Sequence, residues 1–322
     1  MIGRRTLLGK LAILGAVGAV HLASTAPAMA EDWEEIALWP GKPPGHGGPT
    51  GPEKLGDSGA GFGALSNIST PRMRVYRPAK ANGAAVLVCG GGGYFRIQLW
   101  KESTPISKWL QQRGFTVFEL IYRLPNDGWE ASAPFIDAQR AMKIVRTRAT
   151  EFGIDPKQIG IMGFSAGGHL AGFTAMQPQR PLYAGSDSYE KASARPDFSV
   201  LLFPVVSLRK PYDTTRTRRE IIGETPSADA ENAWSLDTYA STDAPPTIIF
   251  ASADDPTTPP GHGIMLFEKL NAAGASVELH LFRDGGHGWG LGKPEQVLSQ
   301  WPGMFVKWFD SGKMVQRKQG ER

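Results

Sequence analysis

The chain has 322 residues, 41% of them hydrophobic and 20% charged, with 39 Gly and 25 Pro, a balance that suits a loop-rich globular enzyme and excludes a disordered or fibrous chain. Its formal net charge is +4, but the first thirty residues hold three of the 35 basic residues and no acids, so the rest stands at +1 and nothing argues for a nucleic-acid partner. One cysteine, Cys89, excludes an intramolecular disulfide framework, and six scattered His without ligand spacing give no reason to expect a metal or cofactor.

Residues 1–30 read as an export signal: Arg4 and Arg5 precede an apolar run over 11–20, and Ala28-Met29-Ala30 stands just before Glu31-Asp32 as a small-residue cleavage site. The run is short for a membrane span and is interrupted by Gly15 and Gly18, so no stable anchor is expected after cleavage. The paired arginines before Thr6-Leu7-Leu8 resemble a twin-arginine signal, the general export route being the alternative; either delivers the protein to the periplasm or the medium. Residues 31–322 then read as a single domain.

Residues 40–66, with nine Gly between 41 and 63, show neither helical nor strand period and read as irregular surface chain. Beyond them strands and helices alternate. Strand-like runs lie at 73–77, 84–89, 115–120, 158–162, 198–203, 247–251 and 277–282, and helical periodicity at 104–113, 132–152, 166–176, 262–273 and 304–309. This alternation predicts an α/β fold, a mostly parallel central sheet with helices on both faces. Residues 206–243 interrupt it, and two readings stay open for them: a small lid or a solvated surface helix.

Gly163-Phe164-Ser165-Ala166-Gly167 is a G-x-S-x-G pattern placed directly after one predicted strand and directly before a helix. That context fits a nucleophile elbow, where a serine takes a strained backbone conformation and the flanking glycines let strand and helix approach closely. Serine needs a base, and the base needs an orienting group. His287, in Gly285-Gly286-His287-Gly288-Trp289, follows the last strand and is the candidate base. Asp254 and Asp255 follow the preceding strand; Asp255 is preferred as the acid, with Asp254 left as a turn or capping residue.

An attacked carbonyl becomes an oxyanion and needs preorganised N–H donors. Gly90-Gly91-Gly92-Gly93-Tyr94 follows the strand ending at Cys89, and its candidates are the N–H groups of Gly92 and Gly93, joined by that of Ala166. Tyr94, Trp129 and Trp289 are the candidate substrate-binding aromatics, the rings of the two tryptophans being suited to stacking on a sugar.

These motifs resemble the esterase-lipase branch of the α/β-hydrolases, in particular acetylxylan esterases and other carbohydrate esterases. The resemblance covers most of the chain after residue 30. It rests on Leu38-Trp39-Pro40-Gly41, Asn67-Ile68-Ser69-Thr70-Pro71, Tyr122-Arg123-Leu124-Pro125, and Gly153-Ile154-Asp155-Pro156 leading into the serine motif and His169. Ala244-Pro245-Pro246-Thr247 and Gly286-His287-Gly288 continue it. The chain departs from the branch at Gly90, where relatives carry Pro or His, and at Ala251-Ser252, where His-Gly is common. Neither departure removes a catalytic group.

The resemblance implies a serine hydrolase of short-chain carboxylic esters, with O-acetyl groups on plant polysaccharide such as xylan as the expected substrate. A feruloyl or general carboxylesterase is the alternative within the class, and a catalytically dead hydrolase acting as a binding module the alternative outside it.

Overall fold

The computed structural model describes residues 33–57, 62–185 and 187–312; the expected export signal lies outside the described residues. Strand β1 (Glu34–Ala37) is followed by two short strands, β2 (Lys54–Asp57) and β3 (Phe62–Ser66), then β4 (Arg72–Tyr76), β5 (Ala85–Cys89) and β6 (Ile97–Gln98). A single π-helical turn, Leu99–Ser103, runs into α1 (Thr104–Gln111) and β7 (Thr116–Ile121). Then come α2 (Ala133–Thr147), β8 (Ile159–Phe164), α3 (Ala166–Met176), β9 (Phe198–Leu202), α4 (Arg216–Ile222) and α5 (Ala228–Trp234). The chain closes with β10 (Thr247–Ser252), α6 (Gly261–Ala272), β11 (Val277–Phe282) and α7 (Trp301–Asp310).

Eight strands form one sheet in the order β1-β4-β7-β5-β8-β9-β10-β11. The pairs β1/β4 and β4/β7 are antiparallel, and every pair from β7 onward is parallel. Strands β5, β7, β8, β9 and β10 are buried at every residue, as a sheet covered on both faces requires, and for that reason they read as continuous apolar runs. The strand period of two divides their side chains between two layers. Ala85, Leu87 and Cys89 join a core with residues of α2, α3 and α6, whereas Val86 and Val88 join one with residues of α1 and α7. Helix α3 is buried at all eleven residues, so it carries no polar stripe.

Two expectations need correction. The segment 40–66 is not wholly irregular: β2 pairs with β3 and β3 with β6 as a small antiparallel sheet. Glycine obscured the strand signal, and it is there for a reason. At Gly63 (φ +114°) an added Cβ would lie 2.4 Å from the Trp100 ring, so only glycine lets the indole lie against the strand. The helix expected over 132–152 ends at Thr147, and a 3₁₀ turn, Ala149–Phe152, completes it before Gly153 at φ +66°.

The parallel strands all point their C-terminal ends the same way. The glycine loop leaves the end of β5, Ser165 the end of β8, Asp255 follows β10 and His287 follows β11. An open α/β sheet gathers its loops into one crevice at that edge.

Candidate active site

Ser165 sits between β8 and α3 with φ 53° and ψ −117°, a conformation that L residues avoid and that persists only where surroundings over-determine it. Two glycines make it attainable. A Cβ at Gly163 would lie 2.0 Å from the Gly167 carbonyl oxygen, and one at Gly167 would lie 2.2 Å from the Cys89 carbonyl oxygen. The turn is therefore pinched against both its own helix and β5. Backbone bonds lock it: Ser165 N–H donates to Leu202 at 3.0 Å, and its carbonyl accepts from Val205 at 3.2 Å and His169 at 3.0 Å. The Ala166 N–H stands at the first turn of α3, the positive end of the helix dipole.

His287 Nε2 lies 2.9 Å from Ser165 Oγ, and its Nδ1 lies 2.7 Å from Asp255 Oδ2. An ionised carboxylate only accepts, so Nδ1 carries the ring proton and Nε2 is left to accept from the serine hydroxyl. Asp255 is 4% exposed, and its second oxygen accepts the N–H groups of Thr257 and Thr258, both at 2.8 Å. Those bonds hold the carboxylate still. Asp254 is a latch on the other loop, accepting the Gly286 N–H at 2.8 Å, and Ser252 Oγ donates to the Gly286 carbonyl at 2.6 Å. Phe203 packs its ring 4.9 Å from the imidazole and 4.7 Å from Trp289.

The structure thus places Ser165, His287 and Asp255 within hydrogen-bond reach of one another in that order. Gly92 and Gly93 line the same cavity of about 320 Å³ as Ser165 and His287, whereas the Gly91 N–H is taken by Glu102. A larger open groove of about 880 Å³ runs past Met176, Arg180, Arg195 and Tyr239, and no member of the Ser165 constellation lines it.

The three candidate substrate-binding aromatics are corrected. Tyr94 is fully buried, its hydroxyl 2.9 Å from His169 Nδ1, because φ +62° at this residue turns the side chain into the core. Trp129 is 7% exposed, donates to the Ile68 carbonyl at 2.8 Å and lies under the Arg123 guanidinium, itself paired with buried Asp137. It ties the N-terminal segment to the core. Trp289 packs behind Phe203 against Phe282 and Trp301 and is not among the residues lining the cavity.

Phe95, Arg96, Lys101 and Glu102, which had no sequence signal, enter the cavity from the glycine loop and the π-helical turn, and Thr215, Arg216 and Thr217, from the segment read as a lid or a surface helix, enter from the start of α4. The guanidinium groups of Arg96 and Arg216 both lie over the Phe95 ring, at 4.6 and 4.8 Å. Residues 206–243 therefore hold two short helices, and the first turn of one walls the cavity. Glu102 is 3% exposed, and burial raises its carboxyl above the usual carboxylate range, against the pull of the Gly91 N–H and then of His287, Lys101 and Arg96.

A mostly parallel sheet with an elbow serine after β8, an acid after β10 and a histidine after β11 defines an α/β-hydrolase. The chain belongs to the BD-FAE esterase family, whose profile matches residues 73–270. It is similar to the acetylxylan esterase of Xylanibacter ruminicola, 30% identical over 233 residues, covering 71% of this chain and 45% of the relative. The endo-1,4-beta-xylanase B of Butyrivibrio fibrisolvens is 27% identical over 220 residues, covering 68% of this chain and 34% of that one. The chain spans less than half the length of these two curated relatives. Among solved structures, the acetyl ester-xyloside bifunctional hydrolase of Caldicellulosiruptor lactoaceticus matches with a TM-score of 0.72 at 30% identity, covering 88% of this chain and 97% of that one. The propionate-bound esterase 2 of Thermogutta terrifontis shares the fold, with a TM-score of 0.62 at 24% identity over 83% of this chain and 96% of that one.

Proposed function

We propose that this protein is a serine carboxylesterase that removes short acyl groups, foremost O-acetyl groups on xylan-like polysaccharide. The observation that carries the reading is the pair of contacts on one imidazole, 2.9 Å to Ser165 Oγ and 2.7 Å to Asp255 Oδ2. Ser165 Oγ attacks the ester carbonyl carbon as its proton passes to His287 Nε2, and Asp255 stabilises the resulting imidazolium. The carbonyl oxygen becomes an oxyanion facing the N–H groups of Ala166, Gly92 and Gly93, each such donor contributing about 2.7–4 kcal/mol. Collapse breaks the ester bond, and His287 returns the proton to the departing alcohol oxygen. Water, deprotonated by the same imidazole, then attacks the acyl-enzyme, releases the carboxylic acid and restores Ser165.

Cavity size supports a short acyl group. At about 320 Å³ it has room for a short acyl group beside the alcohol but not for the length of a fatty chain, which needs extended apolar surface to gain roughly 0.8 kcal/mol for each CH₂ it buries. The acetyl preference and the xylan substrate draw on the names of the Xylanibacter and Caldicellulosiruptor relatives. As further parts of this reading, residues 1–30 are an export signal cleaved after Ala30, 31–322 are one catalytic domain, and 206–243 act as a small lid over the cavity.

The test is kcat/KM on acetyl, butyryl, octanoyl and feruloyl esters, together with acetate released from acetylated xylan. Efficiency falls as the acyl chain passes about four carbons, since a tight pocket turns added methylenes into overpacking. Octanoyl esters outperforming acetyl esters, with no acetate from xylan, would overturn the carbohydrate-esterase reading. Preferred cleavage of feruloyl esters would favour the other esterase, and no turnover of any ester would favour a binding module.

A further inference from the structure

Glu102 has a position that the mechanism above leaves unused. It lies in the π-helical turn Leu99–Ser103, 3% exposed, with Oε2 accepting the Gly91 N–H at 2.7 Å. Gly91 is beside the nucleophile: a Cβ built there would lie 3.1 Å from Ser165 Cβ. Its amide is engaged by Glu102, so the donors left to the oxyanion from this loop are those of Gly92 and Gly93.

The loop that presents those donors ends on a residue held against its conformational preference. Gly92, Gly93 and Tyr94 have φ of +124°, +63° and +62°, and the last is a bulky residue in a left-handed conformation that costs on the order of 1–3 kcal/mol. Such a run survives only if it is fixed at both ends. On one side the Tyr94 hydroxyl bonds buried His169 at 2.9 Å, and on the other Glu102 holds Gly91.

The same carboxyl borders the histidine loop. A Cβ at Gly288 would lie 3.4 Å from Glu102 Oε1, and one at Gly290 would lie 2.5 Å from the Lys101 carbonyl oxygen. The turn carrying Glu102 is therefore wedged between the loop that presents the oxyanion donors and the loop that presents His287. The ionisable groups acting on Glu102 are Lys101 in its own turn, Arg96 from the glycine-loop side, His287 from the far side and the buried Tyr122 phenol.

We propose that Glu102 is a positioning residue for ester hydrolysis: by holding the Gly91 N–H behind the glycine loop it aims the next two N–H groups at the oxyanion. This rests on the esterase reading, and one arm of its test does not. Glu102 touches no reacting atom. Its effect belongs to the transition state, where the oxyanion exists, and not to substrate binding.

The test uses Glu102→Gln and Glu102→Leu in the full chain, with 4-nitrophenyl acetate kinetics and hydrogen exchange at the Gly91 amide. Leucine cannot accept the N–H, so kcat falls about 10–100-fold, with KM within about threefold of wild type and faster exchange at Gly91. Glutamine keeps an acceptor but removes the charge. It recovers most of kcat and keeps the wild-type Gly91 exchange rate. A side chain that merely filled space would not separate the two variants in this way.

Wild-type kcat in both variants, a loss expressed in KM alone, or an unchanged Gly91 exchange rate in the leucine variant would overturn the proposal. Should the leucine variant not fold, Glu102→Ala, which also lacks the acceptor, decides by the same readouts. Gly91 exchange is independent of turnover. A wild type without esterase activity would therefore refute the esterase reading, while exchange would still decide whether Glu102 holds the loop.

Discussion

Asp254 reaches across 32 residues of chain to accept the Gly286 N–H at 2.8 Å, and its neighbour Asp255 reaches as far to accept from the His287 ring at 2.7 Å. Two adjacent carboxylates thus hold one loop in two ways, the first by its backbone and the second by its imidazole. The N–H groups of Gly286 and Gly285 keep the Asp254 carboxyl below its usual range, so the latch is ionised throughout the neutral region. The two substitutions differ in size. Asp255→Asn presents the ring with the wrong partner and should lower kcat by about 10⁴-fold. Asp254→Asn keeps an acceptor for Gly286 and should lower kcat less than about tenfold. Steady-state kinetics of the two variants check this, and equal losses would contradict the division of roles.

Tyr94→Phe should leave KM unchanged and lower stability. The phenol is fully buried on His169, and its removal orphans a buried ring nitrogen at a cost of about 1–3 kcal/mol. For a chain of this size that is a Tm fall of roughly 2–10 °C, readable by thermal denaturation. A raised KM with an unchanged Tm would return Tyr94 to the substrate-binding role that the sequence suggests.

Acid should destabilise the fold through two buried histidines. Burial lowers the pKa of His169 and His262 from 6.5 to about 4 each, and the His262 Nδ1 accepts the Val206 N–H at 3.0 Å, which requires it unprotonated. A folded pKa below the unfolded one means that the unfolded chain takes up the proton first. The stabilisation is complete above about pH 6.5 and is lost as pH falls from there through about 4. Tm measured from pH 7.5 to 4 should be flat at the upper end and decline through that window, and a flat profile down to pH 4 would contradict the burial argument.

How far the sequence could be read depended on whether a feature's meaning was local. Ser165 and His287 are legible because glycines flank them and each follows an apolar run, and α3 and β11 appear with the expected bounds for the same reason. Glu102 was not legible. Its partner Gly91 is a backbone amide eleven residues away, and no spacing rule marks that pairing. Aromatic identity misled at Tyr94 and Trp129, since a ring's chemistry does not tell whether a positive φ or an N–H donor has turned it inward. Arg216 and its neighbours reach the cavity only through the long excursion between β9 and β10, whose path no periodicity specifies.

The central claim is that Ser165 is the nucleophile, and a fluorophosphonate probe followed by peptide mapping tests it most directly. The wild type should take up one equivalent of label on Ser165 and lose ester hydrolysis in proportion. Ser165→Ala should take up none, with kcat for 4-nitrophenyl acetate about 10⁶-fold below wild type and the fold intact, because the hydroxyl points at His287 and fills little core volume. Label on another residue, or more than a few per cent of wild-type kcat left in uncontaminated Ser165→Ala protein, would contradict the account.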